Sequence, residues 1–195
     1  MQGQKIQIGE SFVGEGAEAA HLNTVLGYRE GPVGTAWATS LAMPRPGHVP
    51  FVTVLRPNLP VKPLTLFVNK APIEGTAPTE KNVHADLTWG AAQAGVAGGV
   101  ADAVADGVIS SVDADQLVLI AAVWVNPKAT DPDLVYANNR AATRAALENG
   151  RNGTPTVDEM LANRAHPYNP FFPGGRPPGD PPSGGISSPQ DPPDQ

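Results

Sequence analysis

The sequence predicts an α+β fold, arranged as a two-layer sandwich. Apolar, β-branched runs bounded by proline or glycine mark several strands. Two later stretches carry helical spacing. The two kinds of segment do not alternate as a regular βαβ repeat requires, which argues against a doubly wound sheet.

Taken in order, Lys5-Ile6-Gln7-Ile8 alternates and reads as a short opening strand, punctuated by Gly9, Gly14 and Gly16. Glu18 to Leu26 reads as the next strand. Along it His21, Asn23 and Val25 share one face, and Leu22, Thr24 and Leu26 the other. Whichever face opens to a cleft, His21 and Asn23 look into it together. Gly34 to Leu41 predicts one or two helical turns, stopped by Pro44 and Pro46. Phe51 to Leu55 and Leu64 to Val68 are apolar, β-branched and bounded by proline, so both read as strands. The link between them, Pro57-Asn58-Leu59-Pro60-Val61-Lys62-Pro63, is expected to be too stiff for regular structure and to hold Asn58 and Lys62 in defined places.

From Thr88 to Ala105 the chain is Ala- and Gly-rich, with Val96, Val100 and Val104 at helical spacing and Gly107 as a cap. Each interior glycine costs a helix roughly 1 kcal/mol. Small residues at this density imply a helix lying close to the sheet or to a neighbouring subunit. Gln116 to Val125 is the longest apolar run and reads as a central strand. Asp131-Pro132 is an N-cap followed by a first-turn proline, opening a helix to about Leu147 that ends near Gly150.

The chain of 195 residues suits one domain, assigned to residues 1–169. Pro170 to Gln195 holds 9 Pro and 5 Gly with few apolar side chains, a composition that cannot offset its ordering entropy, so a disordered tail is expected. The net charge of −6 argues against nucleic-acid binding. With no cysteine there are no disulfides, thiolate metal sites or cysteine nucleophiles. No secretory signal and no membrane-length apolar run are visible, so a soluble, cytoplasmic protein without membrane partners is expected. His48, His84 and His166 lack metal-ligand spacing, and no metal site is predicted. Asp102 and Asp106 share a helix face and read as a solvated one. Gly14-Glu15-Gly16 lacks the third glycine of a dinucleotide fingerprint and leads into a strand.

GESFVGEGAEAAH (Gly9 to His21), PNLPVKP (Pro57 to Pro63) running on to Asn69-Lys70, and GAAQAGV (Gly90 to Val96) occur in that order. Together they resemble the formaldehyde-activating enzyme family, from about Gly9 to about Pro167. The resemblance implies a ribosomal-protein-S5-domain-2-like fold and a homopentamer with pterin pockets between subunits. It implies formaldehyde and tetrahydromethanopterin as substrates, the pterin as co-substrate, with no tightly bound cofactor. His21 would be the general acid. Lys70 and Gln93 would contact the pterin, PNLPVKP would shape the pocket, and Val52 stands where the family has a leucine in the cofactor wall. Asn23 stands where the family typically has an acid, and Pro72 where it usually has threonine. The segment from Pro72 to Trp89 looks longer than the family's. The similarity extends to His166-Pro167, at an end that the resemblance implies can cross onto a neighbouring subunit.

The implied chemistry suits a histidine. A pterin nitrogen adds to formaldehyde, giving a carbinolamine, and its hydroxyl must leave as water with the help of a proton. The resulting iminium is closed by the second nitrogen, giving a methylene bridge. Imidazole, with an ordinary pKa of about 6.5, both donates and recovers a proton near neutrality. The altered positions Asn23 and Pro72 define an alternative, a pterin- or one-carbon-adduct-binding paralogue that catalyses little. An assembly module using the proline-rich tail as its ligand segment is a third reading.

Overall fold

The computed structural model describes residues 6–73 and 82–168; the expected tail lies outside the described residues. The described residues form a five-stranded mixed sheet packed with helices, an α+β arrangement. β1 (Gln7–Val13) and β2 (Ala20–Tyr28) are antiparallel, as are β2 and β7 (Leu117–Trp124). β7 pairs in parallel with β6 (Leu64–Asn69), and β3 (Phe51–Val52) closes the edge. β7 is central, as its apolar run predicts.

One face of the sheet is covered by α3 (Gln93–Ala105) and α4 (Pro132–Asn152). Leu22, Leu26, Phe67, Leu119 and Val123 point from the strands into this core, meeting Val96, Val100, Val135 and Leu147. α3 continues from α2 (Val83–Asp86) through a π-helical segment, Leu87–Ala92, so the helix starts before the predicted Thr88. Asn82 begins it, accepting a hydrogen bond from Ala85 N at 3.0 Å. α4 begins at Asp131 as predicted, the carboxylate accepting from Asp133 N and Leu134 N at 2.9 and 3.0 Å.

The glycines of α3 face α4 rather than the sheet. A Cβ on Gly95 or Gly99 would lie 2.5 Å from the carbonyl oxygen of Tyr136 or Arg140. Asp102 and Asp106 lie at the exposed edge of this contact, bound to Arg140 and Arg144 at 2.7 and 2.9 Å, and are not a merely solvated face. The Arg140 hydrogen bond holds the Asp102 carboxyl below its ordinary range. Gly150 is not the end of α4: a Cβ there would crowd Ile8 and Gly9 at 3.2–3.3 Å, and the left-handed cap is Gly153, φ 67°. Gly9 likewise does not break β1, since its missing side chain lets the backbone pass under Ala146 of α4.

The predicted strand Phe51 to Leu55 divides at Thr53, which bonds Thr65 O on one side and Val61 N on the other. Beyond it β4 (Val54–Arg56) and β5 (Leu59–Pro60) form a two-stranded hairpin, so the proline-rich link does carry regular structure. Asn58 makes the turn with φ 66°, a conformation asparagine tolerates, and Pro60 lacks only a donor that an edge strand can spare. Lys62 is held by Asp115 at 2.8 Å.

On the other face lies α1 (Pro32–Ala42), three turns long where one or two are predicted, because Pro32 opens the helix two residues earlier. It packs over β2 at Gly27, where a Cβ would meet Val33 Cγ2 at 2.6 Å. The architecture is therefore a two-layer sandwich with one short helix over part of its second face. α1 covers the Gly27 end and leaves the His21 end of that face open. Among the described residues no helix is long and apolar enough to cross a membrane.

The close α3–α4 contact is testable. Gly99→Ala is expected to cost about 1–3 kcal/mol of overpacking, because the clash is with backbone. Gly90→Ala, with nothing within 4 Å of its Cβ, is expected to gain about 0.4–1 kcal/mol. Urea unfolding of both variants measures the difference; equal effects would remove close packing as the reason for the small residues.

Candidate active site

His21, Asn23 and Lys70 meet on the open face. In β2, His21 and Asn23 alternate with the fully buried Leu22. Phe12 of β1 lies opposite His21 on one side and Trp124 of β7 on the other. The parallel register places Val68 beside Ala122, itself beside Asn23, and Lys70 follows Val68 on the same face. Lys70 continues the line of β6, its backbone N–H bonding Val123 O at 2.7 Å.

Two side-chain pairs run diagonally across these strands. Glu10 Oε1 lies 3.0 Å from His21 Nε2, and Lys70 Nζ donates to Asn23 Oδ1. The Glu10 carboxylate only accepts, so the hydrogen of this bond sits on Nε2, and Nδ1 is the nitrogen left to exchange a proton with a ligand. The Phe12 ring, 5.9 Å from the imidazole centroid to centroid, walls one side. The His21 side chain is 35% exposed, reachable from solvent while Glu10 and Phe12 hold it. Partial burial lowers the Lys70 pKa from its ordinary value, while the Glu10 carboxylate opposes the shift. One acid therefore serves both basic groups of the patch.

The loop before β2 is fixed from behind. Asn138 of α4 donates to Glu18 O at 2.9 Å, and Glu18 Oε1 accepts from Thr130 N at 3.2 Å. Gly14, φ 86°, passes so close to Asn138 that a Cβ would lie 2.4 Å from Nδ2. The glycine-rich stretch before His21 is thus a tight approach to α4 that sets where β2 begins.

A family profile described as formaldehyde-activating enzyme (Fae) matches residues 8–172. The chain belongs to the formaldehyde-activating enzyme family. It is 43% identical over 167 residues to a 5,6,7,8-tetrahydromethanopterin hydro-lyase of Methanosarcina barkeri, covering 86% of this chain and 90% of the relative. It is 42% identical over 154 residues to a bifunctional enzyme Fae/Hps of Methanococcoides burtonii, and 39% over 168 residues to that of Archaeoglobus fulgidus. Those matches cover 79% and 86% of this chain but only 37% and 41% of the two bifunctional proteins.

The six residues that the family resemblance selects fall into three places. His21, Asn23 and Lys70 share the open patch. Val52 and Pro72 lie along the β6 side: Val52 pairs with Leu66, four residues before Lys70, and Pro72 packs against Gly47 just beyond the strand. Gln93 belongs to the helix layer, 7% exposed, its Nε2 donating to Val54 O at 2.8 Å. Within one chain the sheet separates it from His21. Sequence reasoning did not single out Glu10, Phe12 or Trp124. The signal for Glu10 was present: a hairpin turning at Gly14-Glu15-Gly16 puts an acid of β1 diagonal to His21. Among the described residues no group of three His, Cys, Asp or Glu could hold a metal ion. His48 Nδ1 and His84 Nε2 each meet a backbone carbonyl, at 2.8 and 3.1 Å.

Glu10→Gln is expected to move the Lys70 pKa further below its ordinary value, because it removes the charge that opposes burial. A lowered folded pKa means the native state binds this proton more weakly than the unfolded chain. Stability from this group therefore rises with pH through the window between the two values. Titration of the Lys70 ¹³Cε shift in both proteins measures the change; coincident curves would show that Glu10 does not act on Lys70.

Proposed function

We propose that this chain condenses formaldehyde with tetrahydromethanopterin to methylene-tetrahydromethanopterin and water, with His21 as the general acid. The observation that carries the reading is the solvent-facing His21, held by Glu10 beside the Asn23–Lys70 pair, in a chain of this family. The hydro-lyase relative supplies the reaction class. Lys70 offers a cation to a pterin carbonyl or anionic group, and Asn23 fixes the lysine while its amide remains a donor. Addition of the first pterin nitrogen gives the carbinolamine. Imidazolium Nδ1–H then protonates the departing hydroxyl, and the same nitrogen accepts the proton released when the second pterin nitrogen closes the ring. Glu10 keeps the imidazole oriented through Nε2.

The wider expectations are part of the same proposal. The scaffold would be ribosomal-protein-S5-domain-2-like, and a homopentamer would complete each pocket between subunits. The position of Gln93, behind the sheet from His21 of its own chain, supports a pocket that draws on a second copy. Val52 and Pro72 would line it. No tightly bound cofactor is required by these steps.

The test is methylene-pterin formation against the spontaneous rate. Wild type is expected to accelerate it, and His21→Ala to lose about 10²–10⁴-fold of that acceleration. Glu10→Gln is expected to lower kcat more than it raises KM, because it acts by positioning His21. Wild type that binds the pterin without accelerating the reaction would leave the binding-paralogue reading instead. Activity gained by Asn23→Asp would then identify the altered residue responsible.

A further inference from the structure

A cleft of about 410 Å³ opens on the same side of the sheet, between the last turn of α1 and the 43–50 segment. Thr39, Ser40, Met43, Arg45, His48 and Val68 line it. Val68 joins it to the patch described above. It precedes Lys70 by two residues on one face, about 7 Å along the strand, and lies two strands across from Asn23. A ligand held at His21 and Lys70 reaches this cleft by extending along one strand face.

The polar wall is rigidly built. Arg45-Pro46-Gly47-His48 closes on itself with Arg45 N to His48 O at 3.0 Å and His48 N to Arg45 O at 2.9 Å. Proline second and glycine third, with φ 73° at Gly47, make a type II turn. Gly47 O accepts from Asn69 Nδ2 at 2.7 Å and from Ile73 N at 2.9 Å, fastening the turn to the end of β6. His48 Nδ1 donates to Asn69 O at 2.8 Å, since a carbonyl only accepts, which leaves Nε2 for a ligand. Among the described residues no ion pair engages Arg45. Around these groups Leu41, Met43 and Val49 expose 38%, 64% and 52% of their surface. The cleft therefore offers an apolar rim, two hydroxyls, an imidazole nitrogen and a cation whose fork suits phosphate or carboxylate.

We propose that this cleft is the subsite for the side chain of the pterin, its apolar rim against the arylamine portion and Arg45 on the terminal anionic groups. The proposal rests on the reading of the open patch as the pterin ring site. It assigns to Arg45 affinity for the tail and no part in the chemistry.

Direct binding under anaerobic conditions tests it with three probes: tetrahydromethanopterin, 6-methyltetrahydropterin, which lacks the tail, and inorganic phosphate. Arg45→Ala is expected to weaken tetrahydromethanopterin by about 10–100-fold, as for loss of a charged hydrogen bond, and to leave 6-methyltetrahydropterin unchanged. Phosphate is expected to compete with the first ligand only, and Ser40→Ala to show a smaller loss of the same selectivity. Equal loss for both pterins, or loss for neither, overturns the subsite. Phosphate bound at Arg45 without competing with tetrahydromethanopterin would make the cleft a free-anion site and overturn it too. Wild type that binds tetrahydromethanopterin tail-dependently yet does not accelerate condensation leaves the subsite standing and removes only the enzymatic reading.

Discussion

The strand register of β2 between β1 and β7 is the constraint on which the rest depends. Strand side chains alternate, so a slip of one residue would send every side chain of β2 to the opposite face. The observed register puts Leu22 and Leu26 into the core, and His21 and Asn23 on the open face with Glu10, Phe12, Trp124 and Lys70. Three glycine contacts pin that arrangement. Gly9 passes under Ala146, Gly14 passes Asn138, and Gly27 lies under Val33, each too closely for a side chain. Core packing and site assembly are thus two consequences of the same pairing, and neither face can be altered in register without the other.

Electrostatics in the patch follows from that geometry. Glu10 lies within bonding distance of His21 and also acts on Lys70, whose ammonium is disfavoured by partial burial. An aspartate in place of Asn23 would neutralise the lysine locally and leave less of its charge for a ligand. The amide instead fixes Lys70 by hydrogen bonding without cancelling it, and the compensating carboxylate stands one strand away, where it also orients the imidazole. In this distribution the lysine is held by an amide, and a separate carboxylate holds the imidazole.

Much of this was legible in the sequence, and the limits have physical causes. Period-two alternation suffices to put His21 and Asn23 on one face, the long apolar run marks β7 as central, and Asp131-Pro132 marks the start of α4. Glycine was harder, because it serves both turns and close approaches. Gly9 and Gly150 read as punctuation, yet each lies inside an element where β1 touches α4. Proline misled in a similar way at Pro57 to Pro63: an edge hairpin tolerates the missing donor, and Asn58 supplies the left-handed turn. Glu10 is not marked by the sequence because its importance depends on a pairing register. Gln93 is marked as a pterin contact, but sequence order does not say on which side of a sheet a helix start will lie.

The second face of the sheet explains why the site has an elongated shape. α1 is anchored at the Gly27 end and covers only part of that face. The Arg45–His48 turn is clamped to the other end of β6 through Asn69, whose side chain is nearly fully buried and so cannot release the turn without exposing its own amide to unpaired burial. Between these two fixed structures the strand surface of Val68 and Lys70 runs as a floor that leads from the cleft to His21. A small substrate such as formaldehyde needs only the His21 end. A floor of this length suits a co-substrate whose reacting nitrogens sit at one end of a long molecule, because contacts far from the reacting atoms can hold them against the acid without crowding it.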